Sequence, residues 1–274
     1  MSGGSDSLSG ENRRLKYELL RLQARLDALE TSRWHRLNPR RLYRRQATPD
    51  RPVVGREAIV PGGHLSDDST LARFRAEVLD RGSFTQVWGL RITRLWEPLL
   101  RGLEGRGARV LEIGSFEGLS TCWILWRLRD AHVTCVDTFE GSFELDASSI
   151  DPSRLKAVFD SNVALVDSSR VRTLIGGSRD VLGELVDAGE RFDLAYVDGS
   201  HLCLDVLVDA ALTWQLLPAG GLLVFDDYTW AILGDDPLLR PGPAIDAFLS
   251  VLDGRYERVF EGSQLAIRKT TDHA

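Results

Sequence analysis

From Arg109 to Lys269 the apolar positions fall into short continuous runs that alternate with longer segments of helical period. Arg109-Val110-Leu111-Glu112-Ile113 is such a run. It closes on Gly114, passes through Ser115-Phe116-Glu117-Gly118-Leu119-Ser120, and opens into a helix-like stretch from Thr121 to Arg129. This order predicts a strand, a tight glycine turn and a helix. Beyond it the pattern predicts a strand over 132–136 ending in Asp137, a helix over 152–166, a strand over 171–175 and a helix over 178–186. A strand over 192–197, a helix over 202–217 stopped by Pro218-Ala219-Gly220-Gly221, and a strand over 221–225 follow. Strand and helix in turn predict a parallel sheet covered on both faces. At the end, a helix over 244–252 precedes two runs, 256–260 and 264–268, which read as an antiparallel pair across Glu261-Gly262-Ser263.

Ahead of this region the pattern changes twice. Leu8, Asn12, Leu15, Leu19, Leu22, Leu26 and Leu29 recur in alternating steps of four and three, which makes one a/d seam with Asn12 at an a position. In a parallel pair Glu11 faces Lys16 of the partner and Arg25 faces Glu30, so residues 1–34 are expected to form a homodimeric coiled coil. The seam docking on the chain's own body is the other reading, since a helix this short needs some partner. Residues 35–66 read as a basic linker and loop, with Pro39 breaking any helix and Pro61, Gly62 and Gly63 in the loop. Arginines interleaved with Trp34, Leu37 and Tyr43 over 33–45 fit a solvated linker or a peripheral contact with anionic lipid or an acidic partner, and the segment resembles one that follows coiled coils in bacterial glycan-assembly enzymes. The body is expected over 67–270. It opens on a helix with Leu71, Phe74 and Val78 on one face and a second helix over 85–103 carrying Trp88, Trp96 and Leu99. His64 and Trp88 read as structural residues of this stretch, with a place beside a pocket as the other reading.

Charge sharpens this division. The net charge of −6 hides a first 50 residues at +5 and a remainder at −11, and an acidic body argues against nucleic acid as substrate. No apolar run approaches the roughly 20 residues of a membrane span, and the polar start is unlike a signal peptide, so a cytoplasmic protein is expected. Cys122, Cys135 and Cys203 match no zinc or redox spacing and read as buried thiols, Cys203 being the one near candidate chemistry.

That chemistry sits at the strand tips. In an open parallel sheet, ligands bind at the carboxyl ends of the strands, where Gly114, Asp137, Asp198 and the pair Asp226-Asp227 are all expected. Asp137, beside the glycine turn, suits ribose hydroxyls. The third glycine of a dinucleotide fingerprint is missing, which points to a nucleoside cofactor without phosphates. Gly114 and Gly118 would let backbone approach that cofactor closely, and Glu112 either orients the turn or meets a ligand ammonium group. Ser115 and Ser120 are candidates around its carboxylate. Asp198, Asp226 and Asp227 form a self-repelling cluster unless a cation sits there. Their hard oxygens suit Mg²⁺, the plainer reading being a cap and a salt bridge.

These residues resemble the class I S-adenosylmethionine-dependent methyltransferases from about Arg109 to Lys269. Val197-Asp198-Gly199-Ser200-His201, Phe225-Asp226-Asp227-Tyr228 and Pro243-Ala244-Ile245-Asp246-Ala247-Phe248 are most similar to a bacterial family sometimes called type 24. Its metal-dependent relatives include catechol and antibiotic-sugar O-methyltransferases. The resemblance implies a Rossmann-like seven-stranded sheet with helices on both faces, with the final antiparallel pair at one edge. It places adenine against Gly177 and Ser178, with Phe139 as a stacking or edge partner. It also matches Asp198, Asp226 and Asp227 to metal ligands, and puts His201 where the catechol enzymes have a lysine base. The departure from lysine leaves His201 open as base, metal ligand or helix cap. Tyr228 and Trp230 stand where they would wall an acceptor.

The function expected is therefore Mg²⁺-dependent methyl transfer from S-adenosylmethionine to a hydroxyl of a small-molecule or glycan acceptor, with His201 and Asp198 in catalytic roles. The rivals are a metal-dependent enzyme like the cephalosporin hydroxylases and a coiled-coil assembly factor that binds the cofactor without turnover.

Overall fold

A computed structural model of the chain describes residues 68–86, 95–141, 151–231 and 236–272. The seven strands are β1 (Arg109–Ile113), β2 (His132–Asp137), β3 (Val171–Ile175), β4 (Leu194–Val197), β5 (Leu222–Phe225), β6 (Tyr256–Glu261) and β7 (Leu265–Lys269). They form one sheet in the order β3-β2-β1-β4-β5-β7-β6. The first five run parallel; β7 lies antiparallel to β5, and β6 closes the edge. The strand order reverses between β1 and β4, so their two carboxyl ends diverge into loops that leave a crevice. There Gly114 N–H donates to the Val136 carbonyl at 2.9 Å and Asp198 N–H to the Ile113 carbonyl at 2.8 Å, which brings the β1, β2 and β4 tips into register.

Helices cover both faces, as expected of buried parallel strands. On one side lie α1 (Asp68–Phe74, continued by a π-helical turn over Arg75–Leu79), α2 (Glu97–Arg101), α3 (Leu119–Arg127) and α4 (Pro152–Val163). Their core is aromatic: Phe74 meets Trp123 edge-on at 5.0 Å and Trp126 at 5.4 Å. On the other side lie α5 (Ser178–Asp187), α6 (Cys203–Gln215) and α7 (Pro241–Val251) around Leu182, Phe192, Trp214 and Phe248. Alternation along β4 sends Leu194 and Tyr196 to the first core and Ala195 and Val197 to the second.

The element order matches the hydrophobic pattern, with ends moved by a few residues. Pro241, Pro243 and Gly242 sit inside the first turn of α7, where proline's missing N–H costs nothing, so that helix begins three residues earlier than its apolar face suggests. The coiled-coil seam, the basic linker, His64 and Trp88 lie outside the described residues; of the second predicted helix, α2 is the described part. The three cysteines are buried. Among the described residues, no helix is long and apolar enough to cross a membrane.

Candidate functional site

The β1–α3 turn is built from inside. Glu112 is wholly buried, and its carboxylate accepts hydrogen bonds from the hydroxyls of Ser115 (2.7 Å), Ser120 and Thr121, with the Cys135 thiol at 3.4 Å. Burial pushes this carboxyl up and the hydroxyl donors oppose the shift. Of the two roles open to Glu112, the geometry supplies the first: it orients the turn. Ser115 and Ser120 point their hydroxyls at Glu112 rather than outward to a ligand carboxylate. Asp137 Oδ2 accepts from the backbone N–H groups of Ser115 (2.7 Å) and Phe116 (2.8 Å), and Oδ1 from that of Phe139 (2.7 Å). Its carboxylate thus holds the turn from the tip of β2 and retains acceptor capacity, since two oxygens offer about four lone-pair sites.

Gly114 (φ +83°) is required for a reason the sequence did not disclose. A Cβ there would stand 2.1 Å from the Asp198 carbonyl oxygen, so the β4 loop crosses directly over it. A Cβ at Gly118 (φ +82°) would press on the Phe159 ring at 3.0 Å. Both collisions are with the protein itself, so these glycines are required by the fold in addition to any close approach of a cofactor. Phe139 is likewise a core residue: its ring is 5% exposed and packs on Phe159 at 5.2 Å. Gly177 precedes α5 and Ser178 opens it, at the tip of β3, two strands over from the glycine turn with β2 between.

The second half of the crevice belongs to the tips of β4 and β5. Asp198, His201 and Asp227 each offer a ligand atom, all within 4.8 Å of one another. His201 Nε2 lies 2.7 Å from Asp227 Oδ2, and its ring stacks on Trp230 at 4.5 Å and 26°. Burial, then the Asp226 and Asp227 charges, push the Asp198 carboxyl well above the usual carboxylate range. Asp226 is placed differently from the expected ligand trio. It is 7% exposed, its Oδ2 accepts from the Tyr196 hydroxyl, and its Oδ1 accepts from Asp227 N–H at 2.7 Å. Asp227 has φ +51°, a left-handed conformation that costs a non-glycine residue and concentrates at functional sites. Tyr228 turns away from the acceptor role: its hydroxyl donates to Asp246 at 2.7 Å and its phenol is pushed up to about 12, mainly by burial.

Three residues of this region escaped the sequence reading. Tyr196 signals itself only as an aromatic two positions before Asp198, hence on the same strand face. Asp209, in α6, is 1% exposed; the Ser178 hydroxyl bonds it, while its Oδ2 faces the Gly199 backbone with no hydrogen-bond partner. Asn162, also 1% exposed, accepts from Ser83 N–H (2.7 Å) and donates to the Ser83 (3.1 Å) and Glu117 (2.8 Å) carbonyls. Glu117 in turn accepts from Thr85 N–H at 2.7 Å and its hydroxyl at 2.8 Å, so the segment before the first strand is fastened to the glycine turn.

Residues 111–228, the stretch from β1 through the aspartate pair, match a family model described as a methyltransferase domain. A Mycobacterium tuberculosis protein named "Probable O-methyltransferase" is 30% identical over 186 residues, covering 67% of this chain and 74% of that protein. Two solved structures share the fold. MycE methyltransferase from the mycinamycin biosynthetic pathway, in complex with Mg, SAH and mycinamycin VI, aligns at TM-score 0.51 and 17% identity over 74% of this chain; the chain spans 55% of MycE's length. The O-methyltransferase TomG of Streptomyces achromogenes, in complex with SAM, aligns at TM-score 0.50 and 20% identity over 75% of this chain and 92% of its own. With a glycine turn after β1, an aspartate at the β2 tip and an O-methyltransferase relative covered over most of its length, the chain belongs to the class I S-adenosylmethionine-dependent methyltransferases.

Proposed function

We propose that the chain transfers a methyl group from S-adenosylmethionine to a hydroxyl of a small-molecule or glycan acceptor held beside a divalent cation. The observation that carries this reading is the convergence of Asp198, His201 and Asp227 at one end of the crevice whose other end is the glycine turn. The donor set fits a divalent ion. The Asp198 and Asp227 carboxylates lie within mutual reach with the His201 imidazole beside them, and the raised Asp198 carboxyl marks a negative cluster that a cation relieves. The turn fits a nucleoside cofactor: it is left-handed at Gly114 and Gly118, carries no phosphate fingerprint, and has the Asp137 carboxylate alongside.

When bound, S-adenosylmethionine supplies an electrophilic methyl, and a divalent ion acidifies a nearby hydroxyl. The chain's own part is positioning and proton transfer. His201 is held by Trp230 on its face and by Asp227 at Nε2, so a proton on Nε2 is donated to Asp227 and the lone pair resides on Nδ1. In that tautomer the imidazole accepts the acceptor's hydroxyl proton while Asp227 stabilises the resulting imidazolium. Asp198 and Asp227 would hold the ion, and Asp137 keeps the turn shaped for the cofactor.

The test is transfer of labelled methyl from S-adenosylmethionine to a panel of sugar and aromatic diols. Activity should vanish in chelator, return with Mg²⁺, and fall by roughly 10²-fold or more in His201→Ala. Full transfer in metal-free chelator would remove the cation from the reaction. Oxygen consumption with iron and no methyl transfer would return the hydroxylase reading.

A further inference from the structure

We propose that Tyr196 is the positioning residue of the cation site: its buried hydroxyl ties the carboxylate at the β4 tip to the one at the β5 tip and so sets where Asp198 and Asp227 stand. The inference rests on the divalent-cation reading above and concerns what holds that site in shape.

The phenol is 1% exposed and has little freedom to move. Its ring meets Trp96 edge-on at 4.5 Å and 82°, and the Trp96 indole N–H is pinned by the Gln264 carbonyl at 2.9 Å, on the turn that leads into β7. From that fixed ring the hydroxyl reaches Asp198 Oδ2 at 2.8 Å and, on its other side, Asp226 Oδ2. Asp226 spends its second oxygen on the Asp227 N–H, and Asp227 is the residue forced into the left-handed region. A continuous series of contacts therefore runs from Trp96 through Tyr196 and Asp226 to the backbone of Asp227. Asp198 is attached to the same hydroxyl. Asp226, with both oxygens engaged inside the protein, serves as a brace between the tyrosine and its neighbour.

Two carboxylates this close repel each other, and burial raises the cost. A hydroxyl placed between them offers one proton and a fixed pivot. Without it, the hydroxyl link between Asp226 and Asp198 is lost, the brace on Asp227 loosens, and the ligand atoms lose their spacing. Groups behind metal ligands typically govern affinity in this way, with losses of about 10- to 100-fold when removed.

The experiment uses the full chain and Mn²⁺ as probe. Tyr196→Phe keeps the ring against Trp96 and deletes only the hydroxyl. Mn²⁺ affinity, read by electron paramagnetic resonance of the free ion, should fall by about 10-fold or more. S-adenosylhomocysteine affinity, read by calorimetry on the same sample, should stay within about twofold, because the glycine turn is held by Glu112 and Asp137 instead. A purely structural phenol would not separate these two constants. Mn²⁺ binding unchanged or tightened in Tyr196→Phe overturns the clamp and leaves the cation reading standing. A wild-type chain that binds no Mn²⁺ overturns both. If Tyr196→Phe does not fold, Trp96→Phe frees the ring from Gln264 with the hydroxyl intact; Mn²⁺ affinity should fall there too, and an unchanged value overturns the clamp.

Discussion

Among the described residues, Asp209 carries a clear pH signature. Burial, opposed in part by the Ser178 hydroxyl and reinforced by Asp205, pushes its carboxyl up to about 7. Because the folded value lies above the unfolded one, the fold holds this proton more tightly than the unfolded chain does. Its burial costs nothing below about pH 4; the cost grows as pH rises toward 7 and levels off above it. Asp209→Asn removes the charge and keeps an oxygen for Ser178. The variant should match wild type in thermal melts only below about pH 4, and be more stable at pH 8 by on the order of 2 to 4 kcal/mol if the full shift is realised. A variant that melts below wild type at pH 8 would mean that the ionised carboxylate is held by something the burial argument omits. Residues such as this, and Tyr196, are hard to read in a sequence because their meaning is a matter of what they face. An aspartate in a helix, or a tyrosine in a strand, carries no pattern of its own. Asp137 and Asp198 were legible because they end strands, and strand ends in a parallel sheet have one destination, whereas His201 was picked out only by the family resemblance.

Among the elements, the glycine turn between β1 and α3 does the most to join fold to site. Glu112 holds it from below, Asp137 from the β2 side, and the Asn162 and Glu117 bonds fasten the segment at Ser83 and Thr85 to it. Asn162→Ala deletes three hydrogen bonds, one buried and two part-buried, and leaves the Ser83 and Glu117 carbonyls without it. A loss of roughly 2 to 4 kcal/mol is expected from the typical worth of such bonds. S-adenosylhomocysteine affinity should fall as well, since the turn and the preceding segment loosen together. Calorimetry and melting on one preparation decide this; a destabilised variant with unchanged cofactor affinity would show the fastening to be structural only. The strand-turn-helix order was visible in the spacing of Gly114 and Gly118, but the reason for those glycines was not. The collision that requires Gly114 is with the backbone of Asp198, a residue 84 positions along the chain, and no local pattern reports a long-range crossing.

At the scale of the whole molecule, the crevice divides into two halves built by different parts of the sheet. Strands β1, β2 and β3 present the turn and Asp137; strands β4 and β5 present Asp198, His201, Asp226 and Asp227. The hinge of the arrangement is the reversal between β1 and β4; the regular alternation of runs implied parallel strands, and the structure supplies their order. A methyl donor at one half and an acceptor oxygen at the other is what such a division can bring into line. The most direct test is diffraction from crystals grown with Mn²⁺ and S-adenosylhomocysteine, measured at the manganese absorption edge. The account predicts an anomalous peak bounded by Asp198, His201 and Asp227, with the nucleoside at the Gly114 turn. A fully occupied cofactor accompanied by no anomalous peak among those residues, or by one elsewhere, would contradict it.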